Sequence, residues 1–192
     1  MTRLYLVRHG ETEWSRDGRH TSVTDLPLTE VGEQQAEALR GHLNPDDFGL
    51  VLSSPRQRAT RTAELAGFTD EHAPEIEPDL VEWAYGDYEG LTTPEIRETV
   101  PDWTVWTHPS PGGEDAADVQ QRLRRVVERV RSSDHERVLC FAHGHSLRAL
   151  ALCWLDFDVR LGGRFPLQTA TVSVLGTAKG LPTIDKWNAP PA

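Results

Sequence analysis

Apolar and polar positions fall along this chain in blocks whose lengths and spacings predict alternating strands and helices. The run Leu4-Tyr5-Leu6-Val7 is short and continuous, and predicts a buried strand from Arg3 to Arg8 that ends at Arg8-His9-Gly10. The polar stretch from Glu11 to Leu28 reads as a long loop leaving the carboxyl end of that strand, where loops tend to carry function. Thr29 suits an N-cap, with Glu30 in the first turn of a helix that runs to about Leu43. A second apolar run, Gly49 to Ser53, leads into Ser54-Pro55, an N-cap and a first helical position that put Arg58 near the start of a helix.

After Gly67 the pattern loses regularity, and Glu82-Trp83-Ala84-Tyr85-Gly86-Asp87-Tyr88-Glu89-Gly90 stands out as an aromatic and acidic cluster without helical or strand period. Trp103 and Trp106 recur beyond it, so residues 80–114 are expected to form a small cap-like excursion over a pocket. Ala116, Val119, Leu123, Val126, Val127 and Val130 repeat at three- and four-residue spacing, which marks the clearest amphipathic helix. It leads into Arg137 to Ala142, a continuous apolar strand of the parallel-sheet kind, then His143-Gly144-His145-Ser146 and an apolar helix from about Leu147. Strands are expected from Ala170 to Leu175 and from Thr183 to Trp187, and the tail Ala189-Pro190-Pro191-Ala192 is expected to be disordered. The order predicts an α/β fold in which ligands bind at the carboxyl ends of mostly parallel strands.

Composition narrows this to one domain. The 192 residues are 38% hydrophobic and 26% charged, enough for a single substantial core. No repeat or low-complexity tract interrupts it. The four-residue apolar run before Arg8 is too short for a signal peptide or a membrane span, so a cytoplasmic protein is expected. Cys140 and Cys153 lack CxxC spacing and lie in apolar segments, where they read as small buried thiols. A net charge of −10 disfavours nucleic acid and anionic membranes as partners. A small anionic substrate would need a local cluster of arginines.

The strand ends supply that cluster. Arg8 with His9, Arg58, and His143 all emerge at one edge of the sheet, and a loop brings Glu82. Held against Trp83 and Tyr85, the Glu82 carboxyl would be partly desolvated and suited to act as a general acid near neutral pH. The other histidines, His20, His42, His72, His108, His135 and His145, do not suggest a zinc site, since His143 and His145 alternate and no cysteine or carboxylate partners are evident. His145 is expected to support its turn and the rest to be ordinary polar surface.

In this order the blocks Leu6-Val7-Arg8-His9-Gly10-Glu11-Thr12, Ser53-Ser54-Pro55 with Arg58-Ala59 and Thr62-Ala63, Glu82 with Tyr85-Gly86 and Glu89-Gly90, and Ala142-His143-Gly144-His145 resemble the histidine phosphatase superfamily, in its phosphoglycerate-mutase-like branch. The resemblance implies a three-layer α/β/α sandwich, a single domain over 1–192, and metal-free, cofactor-free phosphoryl transfer. It implies His9 as nucleophile, with a nearby carbonyl such as that of Gly10 orienting the ring. Arg8, Arg58 and His143 would grip the equatorial phosphate oxygens, and Gly144 would lie at the substrate. Ser15 and Thr21 fall where the family's loop contacts phosphate, although Ser15 stands where relatives often carry asparagine. Glu82 matches the family's acid, and Glu89 its structural glutamate.

The same resemblance frames the choice of activity. Mutases of this branch carry a longer, cation-rich segment after the acid, whereas Arg97 is the one lysine or arginine between Leu91 and Glu114. A phosphatase acting on a small phosphorylated metabolite, in the manner of the sugar-bisphosphate phosphatases, is therefore favoured over a phosphoglycerate mutase. A catalytically silent phospho-ligand binder is the third alternative, and it would need neither nucleophile nor acid. A homodimer is compatible with the sequence.

Overall fold

The computed structural model describes residues 2–191. Its centre is a six-stranded sheet formed by β1 (Arg3–Arg8), β2 (Leu50–Ser53), β3 (Glu75–Ile76), β4 (Arg137–Ala142), β5 (Val172–Ala178) and β6 (Leu181–Ala189), in the order β3-β2-β4-β1-β5-β6. β1, β2, β3 and β4 pair in parallel, while β5 runs antiparallel to both of its neighbours, β1 and β6. The two strands that read as continuous apolar runs, β1 and β4, are the central pair, because a strand covered by helices on both faces must be apolar on both.

Successive side chains of a strand point to opposite faces, and β1 and β4 feed two cores in that way. Leu4, Leu6, Cys140 and Ala142 pack with α5 (Ala116–Ser132) and α6 (Gly144–Trp154). Val7, Leu139 and Phe141 pack on the other face, where α2 (Glu30–Ala38) and α3 (Gln57–Leu65) lie, through Leu39, Ala63 and Phe68. The result is the expected three-layer α/β/α sandwich. Two short helices, α1 (Glu13–Arg16) and α4 (Thr93–Arg97), sit inside stretches that have no apolar period, and each is fixed by a capping box, at Thr12 and Thr92 respectively.

Several boundaries differ from the sequence reading, each for a physical reason. α2 stops at Ala38 and tightens into a 3-10 turn over Leu39–Gly41 rather than continuing to Leu43. α3 begins at Gln57 with Arg56 as its cap, and the Ser54 hydroxyl, buried at the strand end, bonds to His143 instead of capping. α6 begins at Gly144, three residues before the expected Leu147, because its first turn is capped from a distant loop. The tail is ordered as far as Ala189, which ends β6 opposite Val172. Ala192 lies outside the described residues.

One backbone approach sets the position of the first strand's end. Gly10 packs on Gly32 of α2 so closely that a Cβ on Gly32 would lie 2.1 Å from the carbonyl oxygen of Glu11, and one on Gly10 would lie 2.3 Å from that of Gly32. Neither backbone can yield without moving His9. Helix propensity alone favours Gly32→Ala by up to about 1 kcal/mol, whereas overpacking costs about 1–3 kcal/mol. We expect Gly32→Ala to lower the unfolding free energy by about 1 kcal/mol in urea titration; an unchanged or raised value would show that the contact is looser than described.

Candidate active site

His9 follows β1 directly, and its backbone is held from both sides. Its N–H donates to Ala142 O at 2.9 Å, and Ala170 N donates to Arg8 O at 2.9 Å. The ring stands 2.7 Å from the carbonyl of Gly10 through Nδ1. A carbonyl only accepts, so Nδ1 carries the proton and the Nε2 lone pair is left for the cavity. Gly10 is held in turn by Thr62 of α3, whose hydroxyl accepts from Gly10 N at 3.0 Å and donates to Arg58 O at 2.7 Å. Burial pushes the imidazole well below its ordinary value of 6.5, and the charges of Arg58 and Arg8 push it further. The ring is therefore neutral through the physiological range.

Arg8 and Arg58 differ in what they have left to give. Arg8 donates from Nη1 to Leu167 O at 2.6 Å, while its Nε is buried without a hydrogen-bond partner. Gly144 makes the room for it, since a Cβ there would come within 3.3 Å of the guanidinium. Arg58 is fully buried and committed: Nε donates to His143 Nδ1 at 3.2 Å, Nη1 to Thr24 O at 3.0 Å, and Nη2 to Ser22 O at 3.2 Å and Thr21 O at 3.3 Å. Because Arg58 can only donate, His143 Nδ1 accepts, and His143 Nε2–H donates to Ser54 Oγ at 2.7 Å. Burial and Arg58 hold His143 well below the ordinary imidazole value. Its ring centroid lies 5.2 Å from that of His9.

Glu82 is buried, and the desolvation expected from Trp83 and Tyr85 is met by three backbone donors. Its Oε1 accepts from Trp83 N at 2.9 Å and Ser146 N at 2.7 Å, and Oε2 accepts from His145 N at 2.9 Å. His145 and Ser146 are first-turn residues of α6, so the carboxylate caps a helix whose N-terminus favours negative charge. Glu89 has a different task. It holds the loop after β1 by accepting from Ser22 N, Ser22 Oγ and Thr24 N.

A cavity of about 150 Å³ opens over these groups. Of the residues expected at the site, Arg8, His9, Ser15, Thr21, Glu82 and Gly144 line it, while Arg58 and His143 stand directly behind. The Ser15 hydroxyl donates to Thr12 O and the Thr21 hydroxyl to Arg19 O, so both are tied into the loop they belong to. The wall also contains residues that sequence reasoning missed: Thr12, Arg19, His20, Tyr85, His145 and Arg148. The expectation that His20 and His145 serve as surface and turn is thereby corrected. His20 is buried, with its ring 4.7 Å from that of Tyr85 and 5.2 Å from that of Trp103. Among the described residues no group of three or more His, Cys, Asp or Glu side chains is placed to hold a metal ion.

Fold and site together define an α/β enzyme with an anion pocket at the carboxyl edge of its sheet. The sequence matches the histidine phosphatase superfamily (branch 1) over residues 4–190, and the chain belongs to that family. It is 46% identical over 186 residues to an acid phosphatase of Mycobacterium tuberculosis, covering 93% of this chain and 88% of that protein. It is 36% identical over 187 residues to the sedoheptulose 1,7-bisphosphatase of Saccharomyces cerevisiae, covering 82% of this chain and 69% of that one. The solved structure of open reading frame Rv3214 of Mycobacterium tuberculosis superposes with a TM-score of 0.91 at 40% identity, covering 100% of this chain and 99% of that one. The chain is a phosphatase of this superfamily.

Keeping histidines neutral at the site has a cost in acid. His20 is pushed down to about 4, chiefly by burial, and His9, His143 and His145 are also lowered. Between pH 6.5 and about 4 the unfolded chain binds a proton at His20 that the folded chain refuses, so stability falls as pH falls through that window. We expect His20→Asn to flatten the slope of unfolding free energy against pH there by up to about 1.4 kcal/mol per pH unit. A slope equal to that of the parent protein would contradict a neutral, buried His20.

Proposed function

We propose that this phosphatase cleaves a small phosphorylated metabolite, of the sugar-phosphate class, through a phosphohistidine on His9 and without a metal ion. The observation that carries the reading is the oriented, neutral imidazole of His9, next in the chain to Arg8, whose buried Nε has no hydrogen-bond partner among the described residues. A buried donor left unpaired marks the place of a missing acceptor, and a phosphate oxygen supplies one with charge assistance.

In the first step His9 Nε2 attacks phosphorus while the bond to the leaving oxygen breaks, and Glu82 gives that oxygen a proton. Glu82 Oε2, with a single backbone donor, is the oxygen free to carry it. In the second step Glu82 takes a proton from water as the water oxygen attacks phosphorus. The N–P bond breaks, leaving inorganic phosphate and neutral His9. Arg8 stabilises the charge on the transferring group. Arg58 and His143 are the second row of the same grip: each reaches phosphate oxygens by exchanging a protein partner, the loop carbonyls for Arg58 and Ser54 for His143. Ser15, Thr21 and Gly144 line the substrate's entry.

Hydrolysis is preferred to mutase chemistry because the segment after the acid holds no spare cation. Arg97, the one lysine or arginine there, lies exposed and donates from Nε to Trp103 O at 2.9 Å. A silent binder would not need Glu82 and His9 to line one cavity. The sugar-phosphate class draws support from the sedoheptulose bisphosphatase relative. The net charge of −10 supports a small-molecule partner in the cytoplasm rather than nucleic acid or an anionic membrane. Among the described residues no helix is long and apolar enough to cross a membrane.

General acids contribute roughly 10²- to 10⁴-fold. Glu82→Gln is therefore expected to lower kcat/KM, which reads the first step alone, at least about 100-fold for an alkyl phosphate while that for an aryl phosphate, whose leaving oxygen needs no proton, falls less than about tenfold. Equal losses would remove Glu82 from proton transfer. Rates for the parent protein should be the same with and without chelator; a chelator-sensitive rate would overturn the metal-free reading.

A further inference from the structure

The wall of the cavity also holds a pair that the phosphoryl-transfer scheme does not use. The Tyr85 hydroxyl lies 2.6 Å from Nδ1 of His145. Tyr85 is buried, and this nitrogen is the one partner its hydroxyl has among the described residues. If His145 Nδ1 carried a proton, the buried tyrosine proton would have no acceptor, at the cost that an unpaired buried donor incurs. The hydroxyl therefore donates, Nδ1 accepts, and the ring proton of His145 sits on Nε2.

Three further features fix the ring. Its backbone N–H is bonded to Glu82, its face packs 5.2 Å from the Trp106 ring, and its Nδ1 lies 3.8 Å from Glu82 Oε2, too far to compete with Tyr85. His145 lines the cavity, and its Nε2 has no hydrogen-bond partner among the described residues. Burial and the nearby charge of Arg148 keep the ring neutral, and burial keeps the tyrosine protonated. What faces the ligand is thus one N–H donor of fixed direction, on the same wall as the acid.

We propose that Tyr85 and His145 form a specificity device in which Tyr85 fixes the tautomer and His145 Nε2–H donates to a hydroxyl oxygen on the carbon chain of the substrate, close to the phosphoester that Glu82 protonates. This rests on the phosphatase reading above and sharpens it: the substrate is a polyhydroxylated phosphomonoester, recognised beyond its phosphate by an oxygen acceptor. Tyr85 is a positioning residue, and His145 touches the substrate. A neutral donor suits a neutral hydroxyl. The cations that share the wall, Arg19 and Arg148, keep free donors for the phosphate or other anionic groups of the substrate, beside their bonds to Gly90 O and Gly144 O.

The experiment compares kcat/KM for ribitol 5-phosphate with that for pentyl phosphate, which has the same carbon count and no hydroxyls, so the ratio reads hydroxyl recognition. Tyr85→Phe and His145→Ala should each lower this ratio about tenfold, the factor expected of one lost hydrogen bond. The double variant should lower it no further than His145→Ala alone. A ratio within twofold of the parent's in either single variant, or additive losses in the double, overturns the proposal. Nitrogen-15 NMR of the parent protein supplies a readout independent of any variant: the His145 ring should show the Nε2–H tautomer, and an Nδ1–H tautomer overturns the assignment. The phosphatase reading is tested separately by aryl phosphate turnover in His9→Ala.

Discussion

Three guanidinium groups, those of Arg8, Arg58 and Arg148, are drawn into the protein around one buried carboxylate, that of Glu82. Burial works against the charge of each arginine, and Glu82 is the first group to offset it in all three. Asp25 also approaches Arg58, at 3.7 Å, but is largely in solvent. In a chain of net charge −10 the site is thus a local excess of positive charge. Charges removed from water cost several kcal/mol each unless they are paired and hydrogen-bonded. The fold meets that cost with backbone: Leu167 O for Arg8, the loop carbonyls for Arg58, and three N–H groups for Glu82.

The same arrangement suits His9 to the nucleophilic role proposed for it. Cations on two sides and exclusion of water keep its ring neutral, while the Gly10 carbonyl sets its direction. The sheet delivers these groups because β1, β2 and β4 run in parallel and end at one edge. The loop after β1 closes over that edge under two anchors of opposite sign, Arg58 on its carbonyls and Glu89 on its N–H groups. Glu82 connects the layers. It lines the pocket, where it is the proposed acid, and as a cap it starts α6.

What the sequence made legible follows the range of the interactions involved. β1, β4 and α5 were readable because an apolar run or a helical period lies within one element. Arg8, His9, Arg58 and His143 were readable as motif blocks at or just beyond strand ends and Glu82 as one in a loop, and the carbonyl that orients His9 is its neighbour in sequence. The start of α6 was not, since its cap comes from Glu82, 64 residues from Ser146. For the same reason His20 passed for surface: its partners Tyr85, Trp103 and Thr93 lie in the aperiodic excursion, which has no local signal to aim them. Ser54 looked like a cap by its place before Pro55, and only the tertiary structure shows His143 taking its hydroxyl.

The central claim is that His9, neutral and oriented, takes the phosphoryl group covalently. It is tested most directly by mixing the protein with a radiolabelled phosphomonoester, quenching in alkali during turnover, and locating the label by peptide mapping. The account predicts an acid-labile, alkali-stable label on the peptide containing His9, absent from His9→Ala along with turnover. Turnover without such a label, and undiminished in His9→Ala, would contradict it.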